Sequence, residues 1–216
     1  YVDSDDPLLA RFNGPTGVAF DYTTRRIYVA DFYNHRIRAI HLNGSVTTIA
    51  GGGPIPSSGQ NPGPPVDSIN PLEARFVYPI SIAIDAERDR LIVADHHSNR
   101  IRAIYGNGTV TTIAGGGTQK WPPGDNSPGL PVDSDDPLAA RFWAPSGVAV
   151  DPFTERIFVS DSFNHRIRVI YLNGSVRTLA GGGNVTGCLA NPGPPNDRPN
   201  PLDARFFNPG GLLYDV

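Results

Sequence analysis

The chain has 216 residues, with 18 basic and 21 acidic side chains and a formal charge of −3. That balance excludes the basic excess of a nucleic-acid-binding surface, and one cysteine, Cys188, excludes a disulfide scaffold. No apolar run is long enough for a transmembrane helix, so we predict no membrane insertion. No leader peptide is recognisable, because the first residues already belong to a repeat; we expect a mature product or a fragment.

An Ala-Arg-Phe segment recurs along the chain, with successive arginines 64, 66 and 64 residues apart. Self-similarity at a nearly fixed period is the signature of a repeat architecture. We predict three units with their links, at 1–65, 66–131 and 132–195, and the start of a fourth at 196–216. The recurring arginines, which we assign to the structure of the repeat, are Arg11, Arg75, Arg141 and Arg205.

Each unit predicts four strands, which in the first unit are 17–21, 26–31, 35–41 and 46–50. The third alternates polar and apolar residues, which predicts one buried and one exposed face. Asn43-Gly44 predicts a two-residue hairpin turn before the fourth strand. One such sheet cannot bury both faces alone, so neighbouring units must stack. The sequence therefore predicts an all-β fold of four-stranded β-propeller blades.

Links rich in glycine and proline join the units at 51–71, 115–137 and 181–201. We interpret them as ordered loops or semi-rigid spacers. Each unit then begins with Asx-Pro, which predicts one or two helical turns with the Asx as cap and proline in the first position. The phenylalanine that follows should anchor the link on the edge of the next blade; these residues are Phe12, Phe76, Phe142 and Phe206.

Residues 15–21, 27–31 and 34–37, with their counterparts in the third unit, resemble NHL repeats. The piece Asn34-His35-Arg36-Ile37 resembles the signature of that family, whereas the second unit has Ser98-Asn99-Arg100-Ile101 instead. The resemblance covers nearly the whole chain and implies a β-propeller, six-bladed in the best-known members. Members include RNA binders, protein-interaction modules, receptor-like ectodomains and a zinc-dependent amidating lyase, so the fold does not fix the function.

Three units and one further predicted strand, 211–215, cannot close a ring, because closed propellers have about four to eight blades. The array is therefore incomplete, or it is completed by other copies or by the rest of a longer chain. A strand donated to another molecule would be β-augmentation. Head-to-tail repetition of such a contact gives a fibre unless the rotation closes.

A polar set recurs where the second strand turns into the third, and we interpret it as structural because an active site needs one constellation rather than three copies. Its aspartate and asparagine should shape the turn, and its arginine should pair across blades. The set comprises Asp31, Asn34, His35, Arg36, Asp95, Asn99, Arg100, Asp161, Asn164, His165 and Arg166.

Two groups could bind metals. His96-His97 beside Asp95 has zinc-binding side chains, but adjacent residues at a strand end point apart. The acidic clusters at 3–6 and 133–136 offer oxygen ligands for calcium, without the spacing of an EF-hand. We therefore predict no catalytic residue, no metal and no cofactor.

Four Asn-X-Ser/Thr sequons begin at Asn43, Asn107, Asn173 and Asn184. The first three coincide with predicted hairpin tips, which are exposed as glycan addition requires, although a turn sequence alone could produce them. Asn184 lies outside that pattern and is an independent match. Cys188 is either a free buried thiol or an intermolecular disulfide partner.

These observations predict a non-enzymatic, extracellular or cell-surface glycoprotein that acts as a structural or protein-interaction module. Its expected partners are further copies of itself or the rest of a longer chain, with glycans on asparagine and no nucleic acid. A filament-like assembly is the favoured setting. The alternatives are a metal-dependent propeller enzyme, similar to the amidating lyase, and an intracellular module that binds a ligand or RNA.

Overall fold

The structure, a computed structural model, describes residues 1–52, 63–116, 130–182 and 196–214. Within these ranges it contains three four-stranded antiparallel sheets, each a meander whose strands neighbour one another in chain order. The predicted all-β fold of propeller-type blades is thereby confirmed. The strands are β1 Pro15–Asp21, β2 Arg26–Asp31, β3 Arg36–Ile40, β4 Val46–Ala50, β5 Pro79–Asp85, β6 Arg90–Asp95, β7 Arg100–Tyr105, β8 Val110–Gly115, β9 Pro145–Val150, β10 Ile157–Asp161, β11 Arg166–Ile170 and β12 Val176–Gly181.

The helices are single turns of 3-10 type. Three of them follow the second strand of a blade, at Phe32–Asn34, His96–Ser98 and Ser162–Asn164. The others are Ala86–Arg88 and Pro201–Asp203. Among the described residues no helix is long and apolar enough to cross a membrane.

The hairpin between the third and fourth strands differs from the prediction of a two-residue turn. Ile40 pairs with Val46, the His41 amide donates to the Ser45 carbonyl, and the Gly44 amide donates to the His41 carbonyl. The loop therefore has three residues, closed by Gly44 at a φ of +86°. The two-residue assignment was wrong because a tight turn followed by a left-handed glycine bulge also uses Asn-Gly.

A narrow loop at the start of each unit, here called the strap, lies along the outer strand of its own blade. In the first unit Val2 bridges to Arg11 and Ser4 bridges to Val46 of β4. The helical turn predicted in the strap is a single turn. Among the described straps it is a 3-10 helix at Pro201–Asp203, where Asn200 Oδ1 accepts from the Leu202 amide. The straps of the second and third units bridge in the same way, at 66 to 75, 68 to 110, 132 to 141 and 134 to 176.

The hydrophobic core lies between the blades rather than within one sheet. One cluster joins Ala30 and Ile37 of the first blade to Ile82 and Val93 of the second, and a second cluster joins blades two and three. Phe76 is fully buried in the first cluster, so the strap of the second unit is anchored between two blades. Stacking is therefore what buries the apolar faces, as repeat proteins require.

Candidate functional site

An arginine on the third strand of each blade is completely buried. In each blade it is the second arginine of a repeated Arg-Ile-Arg segment. The three residues, none of which has exposed side-chain surface, are Arg38, Arg102 and Arg168. The alternating pattern had predicted that this side of the strand faces solvent, which is wrong. A buried guanidinium requires partners for its donors, and its partners define the polar centre of the blade.

Arg102 joins three parts of its unit. One terminal nitrogen donates to the Arg75 carbonyl at 3.0 Å and to Asp95 Oδ2 at 3.1 Å. The other donates to the Val66 carbonyl at 2.8 Å and pairs with Asp67 at 2.7 Å. The repeated Arg75 thus contributes its backbone to this network. Arg38 and Arg168 bind the equivalent atoms of their own units.

The aspartate beneath this arginine orients the chain that enters the inner strand. Asp95 Oδ1 accepts from the Val77 amide at 2.6 Å, and Asp161 Oδ1 accepts from the Trp143 amide at 2.7 Å. Burial raises the pKa of the Asp95 carboxyl, and the charge of Arg102 opposes that shift. Each blade therefore ties the end of its second strand to the start of its first.

Two of the acidic residues considered as calcium ligands, Asp3 and Asp133, are engaged in the strap. Asp3 accepts from the Thr48 amide at 2.9 Å and from the Thr48 hydroxyl at 3.0 Å, and it pairs with Arg38. Asp133 makes the same contacts with Thr178 and Arg168. These carboxylates hold the strap against the third and fourth strands.

The repeated turn residues bind the same aspartates. Asn34 Nδ2 donates to Asp31 Oδ2 at 2.8 Å, and Asn164 makes the corresponding bond to Asp161 at 2.9 Å. In the second unit Ser98 donates instead to the Asp95 carbonyl. The turn therefore has one architecture with two alternative polar side chains.

The residue after each turn connects one blade to the next; we call this contact the clamp. It has left-handed backbone geometry, with φ of +54° at His35. His35 Nδ1 accepts from the Tyr78 amide at 3.1 Å, and Asn99 Oδ1 accepts from the Ala144 amide at 2.7 Å. The same bond joins His165 to Asn208 at 3.2 Å. Asparagine replaces histidine in the second unit without loss of the clamp, because both offer an acceptor and tolerate this geometry.

The arginine that follows was expected to pair across blades, which stays a prediction. The Arg36 guanidinium lies 3.6 Å from the centre of the Tyr1 ring. Arg100 donates to the Ser98 carbonyl at 3.2 Å. Among the described contacts, the clamp residue makes a bond between blades.

Burial lowers the pKa of His35 to about 4, with a further contribution from His97 and Arg36. Burial also lowers the pKa of His97 to about 4 and that of His96 by a smaller amount. These imidazoles are neutral at pH 7. Because His35 Nδ1 accepts from the Tyr78 amide, the single ring proton of His35 lies on Nε2.

His96 and His97, considered as zinc ligands, lie side by side. Their ring centres are 5.0 Å apart, and His96 Nδ1 lies 3.1 Å from the Pro145 carbonyl. Within the described ranges no group of three His, Cys, Asp or Glu side chains could hold a metal ion. A cleft of about 350 Å³ lies between the first two blades, bordered by Asp21, Tyr28 and Asp89.

Three of the four sequons occupy hairpin tips. Asn43 is exposed, and its Oδ1 accepts from the Ser45 amide at 3.0 Å and from the Ser45 hydroxyl at 2.8 Å. Asn107 and Asn173 are exposed at the equivalent tips. Asn184 and Cys188 lie outside the described residues.

Four-stranded meanders that stack through a shared core and repeat one polar network define an array of β-propeller blades. The family described as NHL repeat matches residues 12–40. Relatives include "NHL repeat-containing protein 2" of Homo sapiens, 27% identical over 170 residues. The chain thus contains an NHL repeat at residues 12–40 and is similar to NHL repeat-containing proteins.

The similarity extends over most of this chain but over little of its relatives. "Protein SUPPRESSOR OF QUENCHING 1, chloroplastic" of Arabidopsis thaliana is 27% identical over 80% of this chain and 15% of its own length. The human relative is covered to 22% of its length and matches 77% of this chain. The chain therefore spans less than a quarter of the curated relatives.

Among solved structures, a gluconolactonase from Xanthomonas campestris superposes with a TM-score of 0.52 and 14% identity. The match covers 79% of this chain and 48% of that protein. At this identity the likeness concerns the fold alone.

Replacement of the buried arginine should destabilise the blade strongly. Arg102→Met would leave Asp95 buried without its cation, and we expect the free energy of unfolding to fall by about 3 to 5 kcal/mol. Arg177→Met removes an exposed pair with Asp135 and should cost no more than about 1 kcal/mol. Urea denaturation of both variants would measure the difference, and equal losses would contradict the assigned role of Arg102.

Acid should weaken the clamp at His35. The unfolded chain takes up this proton near pH 6.5, whereas the folded chain resists it until about pH 4. The stabilisation is therefore complete above pH 6.5 and is lost as the pH falls towards 4. His35→Asn keeps the acceptor, as Asn99 does, and should reduce the loss of stability between pH 7.5 and pH 5.

Urea midpoints at the two pH values would measure this change. Because His96, His97 and His165 still titrate, the variant should retain part of the pH dependence. An unchanged dependence in His35→Asn would contradict the assignment, and Arg25→Asn, at an exposed left-handed position of the same blade, is the matched control.

Proposed function

We propose that this chain is a non-enzymatic interaction module of an extracellular or cell-surface glycoprotein, which associates with further copies of itself into a filament-like assembly. The observation that supports the proposal is the pair of surfaces that the described blades present at the two ends of the array. The two ends are complementary, because each resembles one side of the joints found inside the chain.

The first blade presents an open apolar face. Val18 of β1 is 66% exposed, whereas the residues at the same position of the next two blades, Ile82 and Val148, are 6% and 2% exposed. Phe20 on the same face is also exposed. In the second and third blades, a preceding blade covers this face. The fitting occupant is therefore the last blade of another copy.

The opposite end carries the start of a fourth unit that already follows the geometry of an internal joint. A side-chain carbon on Gly147 would lie 2.6 Å from the Gly210 carbonyl, as one on Gly17 would lie 2.6 Å from the Ile80 carbonyl. The Pro209 carbonyl accepts from the Ser162 hydroxyl at 2.5 Å. This segment occupies the position of an inner strand whose sheet is completed by neighbouring sequence or by another molecule.

Successive copies that join the fourth-unit end of one to the open face of the next would form a heterologous contact. Such contacts extend into a fibre when the rotation between copies does not close. A ring of two copies is the closed alternative, and the size of the assembly distinguishes the two.

The extracellular part of the proposal is supported by the sequons. Asn43, Asn107 and Asn173 are exposed at hairpin tips. Glycan addition requires such exposure. The absence of catalysis is proposed because the recurring polar residues are engaged in holding the blade together.

A charge on the open face should prevent association. We expect Val18→Glu to reduce the self-association of the purified chain at least tenfold, because it would bury an unpaired carboxylate at the joint. Leu8→Glu changes an exposed apolar residue of the strap and serves as the matched control. Sedimentation over a concentration series would measure the association constants of the unchanged chain and of both variants. If the unchanged chain is a compact monomer at all concentrations, the proposal is overturned.

Native material should carry glycans on the hairpin tips. We expect its mass to exceed the 23.2 kDa of the polypeptide and to fall on treatment with an amidase that removes N-linked sugars. Peptide mass spectrometry should place the sugar on Asn43, Asn107 or Asn173. Unmodified asparagine at all three positions would contradict the extracellular assignment while leaving self-association to be judged separately.

A further inference from the structure

The three turns after the second strands each present a ring at their second position. These residues are Tyr33, His97 and Phe163, and all three are exposed. Each is held by its backbone: its amide donates to the carbonyl of Asn13, Val77 or Trp143 in the chain that enters the inner strand. The exposed rings therefore lie at one end of the blades, in equivalent positions.

Further rings connect these positions into a continuous row, here called the ring row. Phe32 is 4.9 Å from Tyr33 and 5.0 Å from Tyr78 between ring centres, and Tyr78 is 4.5 Å from His97. His96 beside it is 6.4 Å from Phe163, which contacts Trp143. The ring row thus crosses from the first blade to the third.

Tyr78 reaches its place in the ring row at a cost in backbone energy. Its φ is +56°, a region that a bulky residue rarely adopts. The first and third units have Gly14 and Ala144 at this position, where the turn needs no ring. An unfavourable backbone conformation that brings a ring between His35 and His97 indicates a use for that ring beyond the fold.

The ring row is free of formal charge. The turns and entering segments that form it contain no Lys, Arg, Asp or Glu; they are 12–14, 32–35, 77–79, 96–99, 143–146, 162–165 and 207–209. A stacking surface for single-stranded nucleic acid combines rings with a basic groove. The ligand of the ring row is therefore neutral, elongated and able to pack against aromatic faces.

We propose that the ring row binds an extended, proline-rich polypeptide. The rings meet edge to face, at 66° for Tyr78 with His97 and 89° for Tyr33 with Tyr78, and therefore present both faces and edges against which a proline ring can pack. The polyproline II helix has no internal hydrogen bonds, so its carbonyls can accept from tyrosine hydroxyls and imidazole N–H groups. Aromatic-lined grooves recognise such peptides in this way.

The chain itself supplies the matching chemistry. It contains 22 prolines, with dense runs at 54–56, 62–65, 122–123 and 192–195. A second copy therefore offers suitable segments, and peptides cut from these runs are natural probes. This binding does not depend on the contact between blade ends, because a short peptide has no blade to donate.

The test uses the full chain and a fluorescent peptide with the sequence of 190–196, Ala-Asn-Pro-Gly-Pro-Pro-Asn. We expect saturable binding by fluorescence anisotropy and at least fivefold weaker binding when alanines replace the prolines. Tyr33→Ala and Phe163→Leu should each weaken binding at least fivefold. Tyr22→Ala, which removes an 86% exposed ring at the other end of the first blade, should leave it unchanged.

Tyr78→Asn introduces the residue found at the equivalent position 208. It should weaken peptide binding, and its urea midpoint should fall no further than the midpoints of Tyr33→Ala and Phe163→Leu. No saturable binding, or equal binding by all variants, would overturn the proposal. A neutral β-linked hexasaccharide is the second probe. If it binds, and its binding depends on Tyr33 and Phe163, while the peptide fails to bind, the ligand is a carbohydrate and the peptide assignment is overturned.

Discussion

The buried arginine on the third strand of each blade is the interaction on which the rest of the structure depends. It brings together both ends of the strap and the end of the second strand, which lie 36, 27 and 7 residues before the arginine in the sequence. A phenylalanine ring lies 5.0 Å from the Arg102 guanidinium, so the cation is enclosed by a ring as well as by oxygens. Because the partners of the two terminal nitrogens all lie within one unit, each blade can form this centre independently of its neighbours.

Blades are then joined by two kinds of contact that differ in specificity. The apolar clusters between sheets favour any similar blade, whereas the clamp fixes how one blade is set against the next. The clamp joins a side-chain acceptor of one unit to a backbone amide of the next. Both residues have left-handed backbone geometry, with φ of +54° at His35 and +56° at Tyr78. The recurrence of this pair along the chain makes the array regular.

The repeat, the strand order and most strand limits could be predicted because alternation, hairpin sequences and a nearly constant period are local signals. The burial of Arg38, Arg102 and Arg168 could not be predicted, because the alternating pattern indicates a half-exposed strand. Their backbone partners lie 27 and 36 residues away and leave no local signal. Recurrence of the second arginine in every unit was the available signal. The ring row also escaped prediction, because its members come from turns and links that meet only when the blades stack.

The replacement of histidine by asparagine at position 99 makes the three joints of the chain chemically unequal. Histidine at the first and third joints loses its acceptor on protonation, whereas the amide of Asn99 has no proton to gain at these pH values. In acid the acceptors of the first and third joints are therefore lost, whereas the acceptor of the middle joint is unchanged.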